Sequence, residues 1–299
     1  MTTHFDLSCL GTCNIDFISK VPFFAQAEEE VNIENLHIFL GGSAFNFTSR
    51  ISSLGIKTAI MARVGEDCFG ELFSTELNHL NVDTSQLLVV GAKTGMAFIN
   101  IDDEAKKSLY SYTGANADFK LEKNDIKLIK NSNLLHITGM YREVVEEASK
   151  HTEKLSFNPG PVTSSFGMKK LKNTLKRTQI LFLNQKEVTL LTGMEWEEGS
   201  SFLVDRGIPM VVVTNGREGA RLFTEKNVIF SPAKTVPTID TTGAGDNFAA
   251  GFITSYIRGE KPEDCLKFAN HIASLCVQKM GGSTSGKIDL SSCSNVNPN

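Results

Sequence analysis

The chain has 299 residues, and its 30 lysines and arginines against 34 aspartates and glutamates give a formal net charge of −4. This mildly acidic balance argues against the broad basic surface that sequence-independent nucleic-acid binding requires. No apolar run approaches the ~18 residues needed to span a bilayer. With 41% hydrophobic and 21% charged residues, the composition is typical of a globular protein, which we expect to be soluble and cytoplasmic.

Short β-rich runs alternate with helical patterns along the chain, which predicts an α/β fold with a mostly parallel sheet. Several runs are apolar over most of their length, as expected for strands that helices cover on both faces. The predicted strands are Phe5–Leu10, Thr58–Val64, Leu134–Thr138, Leu155–Asn158, Ile180–Asn184 and Met210–Thr214. The predicted helices are Ser43–Leu54, Phe69–Asn78, Val144–Lys154 and Gly167–Arg177. We interpret residues 1–299 as a single domain.

Two stretches, residues 14–40 and 94–112, break this alternation. Their extended pieces are Asp16–Val21 and Ile33–Leu40 in the first stretch, and Met96–Ile101 and Ser108–Tyr112 in the second. They fit either edge strands of the main sheet or a separate small sheet. We favour a small β-lid, because both stretches are inserted between core elements near polar strand ends.

The predicted strands end on polar or flexible residues, namely Gly11, Gly65, Thr138, Asn158, Asn184 and Thr214. In open α/β sheets, ligands bind beyond the carboxyl ends of the strands. Ordinary turn chemistry does not require so many polar residues at strand ends. We therefore expect the functional site at this edge of the sheet.

The strongest local signal is Asp240–Phe252, where a glycine-rich turn opens a helix. Gly243, Ala244 and Gly245 let the backbone approach a ligand, and the N–H groups at a helix start attract an anion. Asp246 follows in the first helical turn. An acid there often only stabilises the helix, but such a role does not require so open a loop. A carboxylate beside an anion site suits phosphoryl transfer, with Asp246 as general base and the three loop amides as anion hole.

A second signal precedes the first predicted helix and suits a sugar. Gly41 and Gly42 let a ligand approach the backbone, and Asn46 offers both a donor and an acceptor; a plain loop-to-helix junction is the alternative. Asn14 and Asp16 follow the first strand. A carboxylate that accepts two hydrogen bonds suits vicinal hydroxyls, although the same pattern also occurs in turns.

Two further strand ends carry polar residues that suit a nucleotide and its metal ion. Asn184 and Glu187 offer oxygen atoms that can hold Mg²⁺ through water, or they begin an ordinary helix. Thr214 and Gly216 form a turn suited to phosphates or ribose, or a turn without function.

Two common nucleotide-binding motifs are excluded. Gly281–Lys287 resembles a P-loop, but Ile288 replaces the Ser or Thr that binds Mg²⁺. The glycine fingerprint of dinucleotide-binding proteins is absent after the first strand, so a hydride-transfer enzyme would lack its phosphate site.

Together these motifs resemble those of the ribokinase family, also called the pfkB-type carbohydrate kinases, from about Asp6 to Gly286. One family signature runs from Gly41 to Gly70, and the other is Asp240–Gly251. The resemblance implies a three-layer α/β/α ribokinase-like fold with a small β-lid over the sugar. It also implies ATP- and Mg²⁺-dependent phosphorylation of a hydroxymethyl group, and a homodimer through the lid.

The resemblance assigns roles to individual positions of this chain. It implies that Asp246 is the catalytic base and that the sugar lies among Asn14, Asp16, Gly42, Asn46 and Glu143. It implies ATP contacts at Thr214, Gly216, Gly243, Gly245 and Asn270, and a position near Mg²⁺ and phosphate for Asn184 and Glu187. Asp240 and Thr242 match part of a monovalent-cation site, suited to K⁺, that some members have.

Departures from the ribokinase pattern leave the substrate open. Ribokinases commonly read G-G-K-G-A-N where this chain has Ser43, Ala44 and Phe45 before the asparagine, and Thr113 replaces a proline. The bulky Phe45 either packs against a nucleobase or fills the core. No basic cluster for a substrate phosphate is visible.

Our hypothesis is an ATP-dependent sugar kinase that phosphorylates a primary hydroxyl of a small sugar such as ribose. The alternative within the family is a nucleoside kinase acting on adenosine, cytidine or inosine. From another class, the same scaffold also suits a non-catalytic regulator that binds a nucleotide or sugar, because a fold alone does not fix a function.

Overall fold

The computed structural model describes residues 4–104, 106–284 and 288, and its strands form two separate sheets. The strands in chain order are β1 (Leu7–Gly11), β2 (Asn14–Lys20), β3 (Asn35–Gly41), β4 (Thr58–Gly65), β5 (Asp83–Val90), β6 (Gly95–Ile101), β7 (Lys107–Tyr112), β8 (Leu135–Thr138), β9 (Leu155–Asn158), β10 (Thr178–Asn184), β11 (Met210–Thr214), β12 (Gly219–Phe223) and β13 (Val228–Pro232). The larger sheet has nine strands in the order β13-β12-β11-β10-β9-β8-β1-β4-β5, and the smaller has four in the order β3-β2-β6-β7.

The larger sheet is mostly parallel, as predicted. Its neighbours from β11 to β5 all pair in parallel, whereas β12 and β13 are antiparallel at one edge. Every residue of β1 and of β4 is buried. Strands buried on both faces need continuous apolar runs, which is the pattern that the sequence shows.

Helices cover the larger sheet on both faces and complete the predicted three layers. They are α1 (Ser43–Ser53), α2 (Cys68–His79), α3 (Lys123–Lys130), α4 (Arg142–Ser149), α5 (Gly160–Ser164), α6 (Gly167–Leu175), α7 (Gln185–Thr192), α8 (Trp196–Asp205), α9 (Ala244–Ile257) and α10 (Pro262–Cys276). Side chains of α1, α2, α9 and α10 belong to one apolar core, and those of α3, α4, α6, α7 and α8 belong to the other.

The smaller sheet is the predicted lid, formed outside the main sheet and not at its edge. Its inner face carries Ile18, Phe39, Ala97 and Ile99, which cluster with Met280. The lid therefore rests on the segment that follows α10. Only two residues separate the end of β1 from the start of β2, so the lid starts directly at the carboxyl edge of the main sheet.

A buried network fixes the start of the second lid segment. Asp67 caps α2 by accepting a hydrogen bond from the Gly70 amide at 3.0 Å, and it also accepts one from the Thr94 amide at 2.8 Å. The Thr94 hydroxyl in turn accepts from the Gly65 amide at 2.9 Å. The first family signature therefore connects the end of β4 to the lid.

The prediction of a helix over Val144–Lys154 is wrong at its carboxyl end, because α4 ends at Ser149. Beyond it, the Thr152 hydroxyl bonds both the backbone oxygen and the amide of Lys154, a local pattern that competes with helix. The edge strands β5, β12 and β13 were not predicted. None of the described helices is long and apolar enough to cross a membrane.

Candidate active site

Asn46 and Asp246 meet where α1 and α9 begin. The Nδ2 atom of Asn46 donates a hydrogen bond to Oδ2 of Asp246 at 3.2 Å, although the two residues lie 200 positions apart. Asn46 is 3% exposed, and its Oδ1 atom has no hydrogen-bond partner within the described ranges. Buried polar atoms normally have partners; this oxygen is both unpaired and buried, so a ligand hydroxyl would reach it only after neighbouring atoms move.

The Asp246 carboxyl group has an altered proton affinity. Burial raises the pKa of Asp246 from 3.8 to about 7; the hydrogen bond from Asn46 opposes this rise, and the negative charge of Glu187 adds to it. A carboxyl group with a pKa near 7 can take up and release a proton at neutral pH. This is the property that a general base requires.

The loop before α9 has a backbone that only glycine allows without strain. Gly243 has a φ of +69°, and a Cβ atom there would lie 2.5 Å from Cα of Gly282. Asn247 holds the two segments together, since its Nδ2 atom donates to the Gly243 oxygen at 2.9 Å and to the Gly282 oxygen at 2.6 Å. The Asn247 Oδ1 atom accepts from Nε of Arg50 at 2.6 Å. The sequence analysis missed Asn247 and Gly282, although Asn247 directly follows the predicted base.

The start of α9 has free backbone amides. No side chain caps this end of the helix. The Ala244 amide donates to the Thr241 oxygen at 3.2 Å. No acceptor within the described residues bonds the amides of Gly243, Gly245 or Asp246. Of the three predicted anion-hole amides, those of Gly243 and Gly245 are thus available to an anion in this conformation, and the Asp246 amide joins them.

Asp16 lies on the lid strand β2 and faces the same region. A Cβ atom on Gly41 would lie 2.1 Å from Oδ2 of Asp16, so the glycine makes room for the carboxylate. Burial raises the pKa of Asp16 from 3.8 to about 7, and the charges of Asp240 and Asp246 add to this shift. No donor among the described residues bonds the Asp16 carboxylate, which leaves it free to accept hydrogen bonds from a ligand.

Asn14 is held by Asn116, a residue of the 3₁₀ turn Gly114–Asp118 after the lid. The Asn116 Nδ2 atom donates to Oδ1 of Asn14 at 2.8 Å, and the Asn116 Oδ1 atom accepts from the amide of Cys13 at 3.2 Å. Asn116 therefore orients Asn14 from the opposite end of the lid. It was not among the predicted site residues, although it ends the segment in which Thr113 replaces the ribokinase proline.

Two more predicted sugar contacts differ in their placement. Gly42 has a φ of +88° and lies against the backbone of Thr12 and Asn14, beside the region just described. The side chain of Glu143 is 71% exposed and pairs with Arg142 at 2.6 Å. No contact within the described ranges joins Glu143 to the other predicted sugar residues in this conformation.

Asn184 and Glu187 form a reciprocal capping box at the start of α7. The Asn184 amide donates to Oε2 of Glu187 at 2.9 Å, and the Glu187 amide donates to Oδ1 of Asn184 at 3.0 Å. Burial raises the pKa of Glu187, and the two bonds from Asn184 oppose that rise. The helix start that the sequence left open is therefore present. Glu187 also lies close enough to Asp246 for its charge to affect that group.

A cleft of ≈ 240 Å³ reaches the start of α9, where Gly245 lines it. Thr214, Gly216, Gly245 and Asn270, all predicted nucleotide contacts, line it. Asn270 also fixes one wall, because its Nδ2 atom donates to the backbone oxygen of Ser231 at 2.9 Å. Ala244 and Gly245 also line the cleft, so one end of it lies at the start of α9, directly before Asp246 in the chain.

Phe45 does not face any of these groups. It is fully buried and packs edge-on against Phe73, with ring centroids 4.9 Å apart. Of the two predicted roles for Phe45, core filling is the one that the structure supports.

The profile of the pfkB family carbohydrate kinases matches residues 5–288. The chain belongs to this family. Members of the family are phosphotransferases, so the chain is a kinase of the group that contains ribokinases and nucleoside kinases.

Similar proteins come from both branches of the family. The ribokinase of Haemophilus influenzae is 26% identical over 294 residues, which cover 93% of this chain and 94% of that protein. A nucleoside kinase of Methanothermobacter thermautotrophicus is 29% identical over 289 residues, covering 95% and 93%. The structure of Arabidopsis thaliana ribokinase complexed with ribose and ATP is 24% identical, with a TM-score of 0.83 and coverage of 93% and 94%. Its likeness supports the fold.

The predicted monovalent-cation site of this pfkB kinase is already filled by protein groups. Oδ1 of Asp240 accepts from the amide and hydroxyl of Thr242 at 3.0 and 2.8 Å, and from Nζ of Lys107 at 2.9 Å. Oδ2 accepts from the Gly281 amide at 3.0 Å. Burial acts to raise the pKa of Asp240, but these bonds outweigh it and hold the pKa below its usual value. Oδ1 therefore has no lone pair left for an additional metal ion in this conformation.

The residues predicted to hold Mg²⁺, Asn184 and Glu187, fit an ion that is bound mainly through water and phosphate. No cluster of three or more His, Cys, Asp or Glu residues able to hold a metal ion occurs in the described part of the chain. Glu187, whose charge affects Asp246, and Asn184 supply oxygen atoms that are too few for a cage built from protein alone. Mg²⁺ commonly keeps several waters and binds through one or two carboxylates together with substrate phosphates, and the donor set fits that mode.

Proposed function

We propose that the protein is an ATP-dependent sugar kinase that transfers the γ-phosphate to a primary hydroxyl of a small sugar such as ribose. The observation that carries this proposal is the position of Asp246. Its carboxyl group is in the first turn of the uncapped helix α9 and accepts a hydrogen bond from Asn46, whose own oxygen has no partner among the described residues. A base, an anion site and a hydroxyl acceptor are the three elements that phosphoryl transfer to an alcohol needs.

In the proposed reaction, Asp246 accepts the proton of the sugar hydroxyl while the hydroxyl oxygen bonds the γ-phosphorus. The bond from that phosphorus to the bridging oxygen of ADP breaks, and the products are a sugar phosphate and ADP. The amides of Gly243 and Gly245 stabilise the negative charge on the transferred group. Deprotonated Asp246 is regenerated when its proton passes to solvent.

The sugar is proposed to lie between the lid and the start of α1. Asp16 accepts hydrogen bonds from two hydroxyls, Asn14 and Asn46 donate and accept, and the Gly42 backbone allows close approach. The exposed Glu143 follows a strand at the same sheet edge, and we propose that it reaches the sugar when the lid moves.

ATP is proposed to occupy the cleft lined by Thr214, Gly216 and Asn270, with its terminal phosphate at Gly243 and Gly245. Glu187 and Asn184 would hold Mg²⁺ through water. When bound, Mg²⁺ neutralises charge on the phosphates.

A nucleoside kinase is the second candidate. The 29% identity to a nucleoside kinase over nearly the whole chain favours it. The buried position of Phe45 removes the sequence argument for this candidate. A non-catalytic regulator is the third reading, and the intact Asp246 argues against it.

A substrate panel tests these candidates. ADP formation from ATP is measured with ribose, fructose, adenosine, cytidine and inosine, each with Mg²⁺. We expect the highest kcat/KM with ribose or another free sugar. Preference for a nucleoside would replace the sugar by the second candidate, and absence of ADP above background with all five would favour the regulator.

We also propose that the protein is cytoplasmic and dimerises through the outer face of its lid. Phe98 and Tyr110 are 41% and 66% exposed and adjacent on that face, and Phe17 stacks on Phe98 at 5.1 Å. An exposed aromatic patch is typical of interaction surfaces. Sedimentation of the wild type and of Tyr110→Glu tests this; a wild type that stays monomeric at all concentrations would contradict it.

A further inference from the structure

Four donors bond the carboxylate of Asp240. Oδ1 accepts from the amide and hydroxyl of Thr242 and from Nζ of Lys107, which exceeds its two lone pairs, and Oδ2 accepts from the Gly281 amide. The Asp240 side chain is 1% exposed. A buried carboxylate needs a compensating positive charge, and among the described residues the cation that pairs with Asp240 is Lys107.

Lys107 reaches Asp240 from the lid. It lies opposite Ile101 in the pairing of β6 with β7, which places it on the inner face that also carries Ile99. Its ammonium group is 2.9 Å from Oδ1 of Asp240 and 3.3 Å from the hydroxyl of Thr241. These contacts connect the lid to the loop that continues into the free amides at Gly243.

We propose that the Lys107 ammonium replaces a monovalent metal ion at Asp240, so that phosphoryl transfer by this kinase requires no K⁺. Lys107 is then a positioning residue, which acts through Asp240 on the loop that holds the transferred phosphoryl group. Because the charge is carried by the lid, opening the lid withdraws it and leaves Asp240 uncompensated. The loop from Asp240 to Gly243 therefore has its catalytic conformation stabilised only while the lid is closed.

The geometry favours replacement over an additional ion. An alkali-metal ion at Oδ1 of Asp240 would have to displace an existing donor, because three donors already share the two lone pairs of that atom. An ammonium group carries the same single charge as K⁺ and directs its N–H groups at the oxygens of Asp240 and Thr241. The Lys107 side chain is 36% exposed, so its removal opens a path from solvent to a carboxylate that K⁺ can then approach.

The test compares the K⁺ dependence of the wild type, Lys107→Met and Lys106→Met. Lys106 is the matched control, because it is the preceding lysine of the lid and pairs only with the exposed Glu104 among the described residues. ADP formation with the best substrate is measured against K⁺ concentration, with choline replacing K⁺ at constant ionic strength. This experiment rests on the proposed kinase activity.

We expect wild type and Lys106→Met to vary by less than about twofold with K⁺. Without K⁺, Lys107→Met should lose at least about tenfold in kcat, because a buried carboxylate is left unpaired, and K⁺ should restore most of that loss. A wild type activated about tenfold or more by K⁺ would overturn the proposal. So would a folded Lys107→Met that is fully active without K⁺, or one that K⁺ does not restore.

A second measurement needs neither substrate nor turnover, and so separates this proposal from the proposed function. A ligand that binds only the folded state raises the melting temperature. K⁺ should therefore raise the Tm of Lys107→Met relative to choline and leave the Tm of the wild type and of Lys106→Met unchanged. An equal shift in all three proteins, or none in Lys107→Met, would contradict the proposal even if no tested substrate is phosphorylated.

Discussion

The starts of α7 and α9 both carry an acid in the first helical turn, yet the two acids are placed differently. At α7, Glu187 and Asn184 satisfy each other's amides in a closed capping box. At α9, no side chain caps the helix, and Asp246 turns to Asn46 on another helix. Acids favour helix starts in general, so an acid at this position does not by itself indicate catalysis. What distinguishes α9 is the glycine loop beside the acid, because the amides of Gly243 and Gly245 have no acceptor among the described residues and can bind a substrate anion.

The largest expected effect comes from Asp246→Asn. The amide keeps the size of the side chain but cannot act as a base, so kcat should fall by about 10²–10⁴-fold while ATP still binds. Steady-state kinetics and nucleotide binding measure the two properties separately.

Asp264→Asn is the matched control, since Asp264 also lies in the first turn of a helix, α10, but pairs at the surface with Lys267. It should keep wild-type turnover. If Asp246→Asn also keeps near-wild-type turnover, Asp246 is not the base, and the contrast between the two helix starts loses its catalytic meaning.

The next largest effect concerns the backbone of the α9 start. In Gly243→Ala, the new Cβ meets Cα of Gly282 at 2.5 Å and the φ of +69° becomes strained. The loop must shift, and we expect about 10²-fold lower kcat, similar to the loss of an anion-hole donor.

Gly259→Ala serves as control, because Gly259 has a φ of +77° with nothing within 4 Å of the added Cβ. Both variants should lose about 1–2 kcal/mol of stability from the left-handed conformation, measured by urea unfolding. Only Gly243→Ala should lose activity, and equal activity in the two variants would contradict a role for the loop amides.

A smaller effect is expected at α7, where Glu187→Gln removes the charge and keeps an acceptor for the Asn184 amide. Stability should change little, whereas the Mg²⁺ concentration for half-maximal rate should rise about tenfold, as for outer ligands of a metal. Glu187→Ala removes both properties and should also lose about 1 kcal/mol of stability. If Glu187→Gln leaves the Mg²⁺ dependence unchanged, Glu187 is a helix cap alone.

The sequence predicted those parts of the site that lie in contiguous motifs. The glycine-rich turn with Asp246, the Gly41–Asn46 segment and the polar strand ends are local patterns with local causes. The main strands were predicted for the same reason, because Leu155–Asn158 and Met210–Thr214 are short apolar runs with polar ends. The edge strands β12 and β13 lack such runs, since Gly219 and Arg221 interrupt the first and three of the five residues of the second are exposed.

The residues that were missed depend on contacts between distant segments. Asn116 orients Asn14 from 102 positions away, and Lys107 pairs with Asp240 from 133 positions away. A single asparagine or lysine in a lid strand carries no signal of such a partner. The segment that resembles a P-loop also has a structural explanation, because Gly281 lies against Phe39 and Gly282 against Gly243. Ser285, Gly286 and Lys287 lie outside the described residues.

The smallest effect is on stability, and it distinguishes the two helix starts by pH. The pKa of Asp246 is about 7 in the folded state against 3.8 for an unperturbed group, so the folded state binds its proton more tightly than the unfolded state. The contribution of Asp246 is therefore most favourable below about pH 4 and is lost as the pH rises through about 7. Asp246→Asn removes this penalty, and it should be more stable than the wild type by about 2 kcal/mol near pH 8, allowing for partial solvent access.

Urea unfolding of the wild type, Asp246→Asn and Asp264→Asn at about pH 5 and about pH 8 measures this difference. The advantage of Asp246→Asn should grow with pH, and Asp264→Asn, at an exposed position, is the control for the change from carboxyl to amide. The activity of the wild type should rise over the same range, and because Asp16 also has a pKa of about 7, the profile reports both carboxyl groups. An advantage of Asp246→Asn that shrinks toward high pH would mean that the folded protein favours the charged carboxylate, and the base would then have to be sought elsewhere.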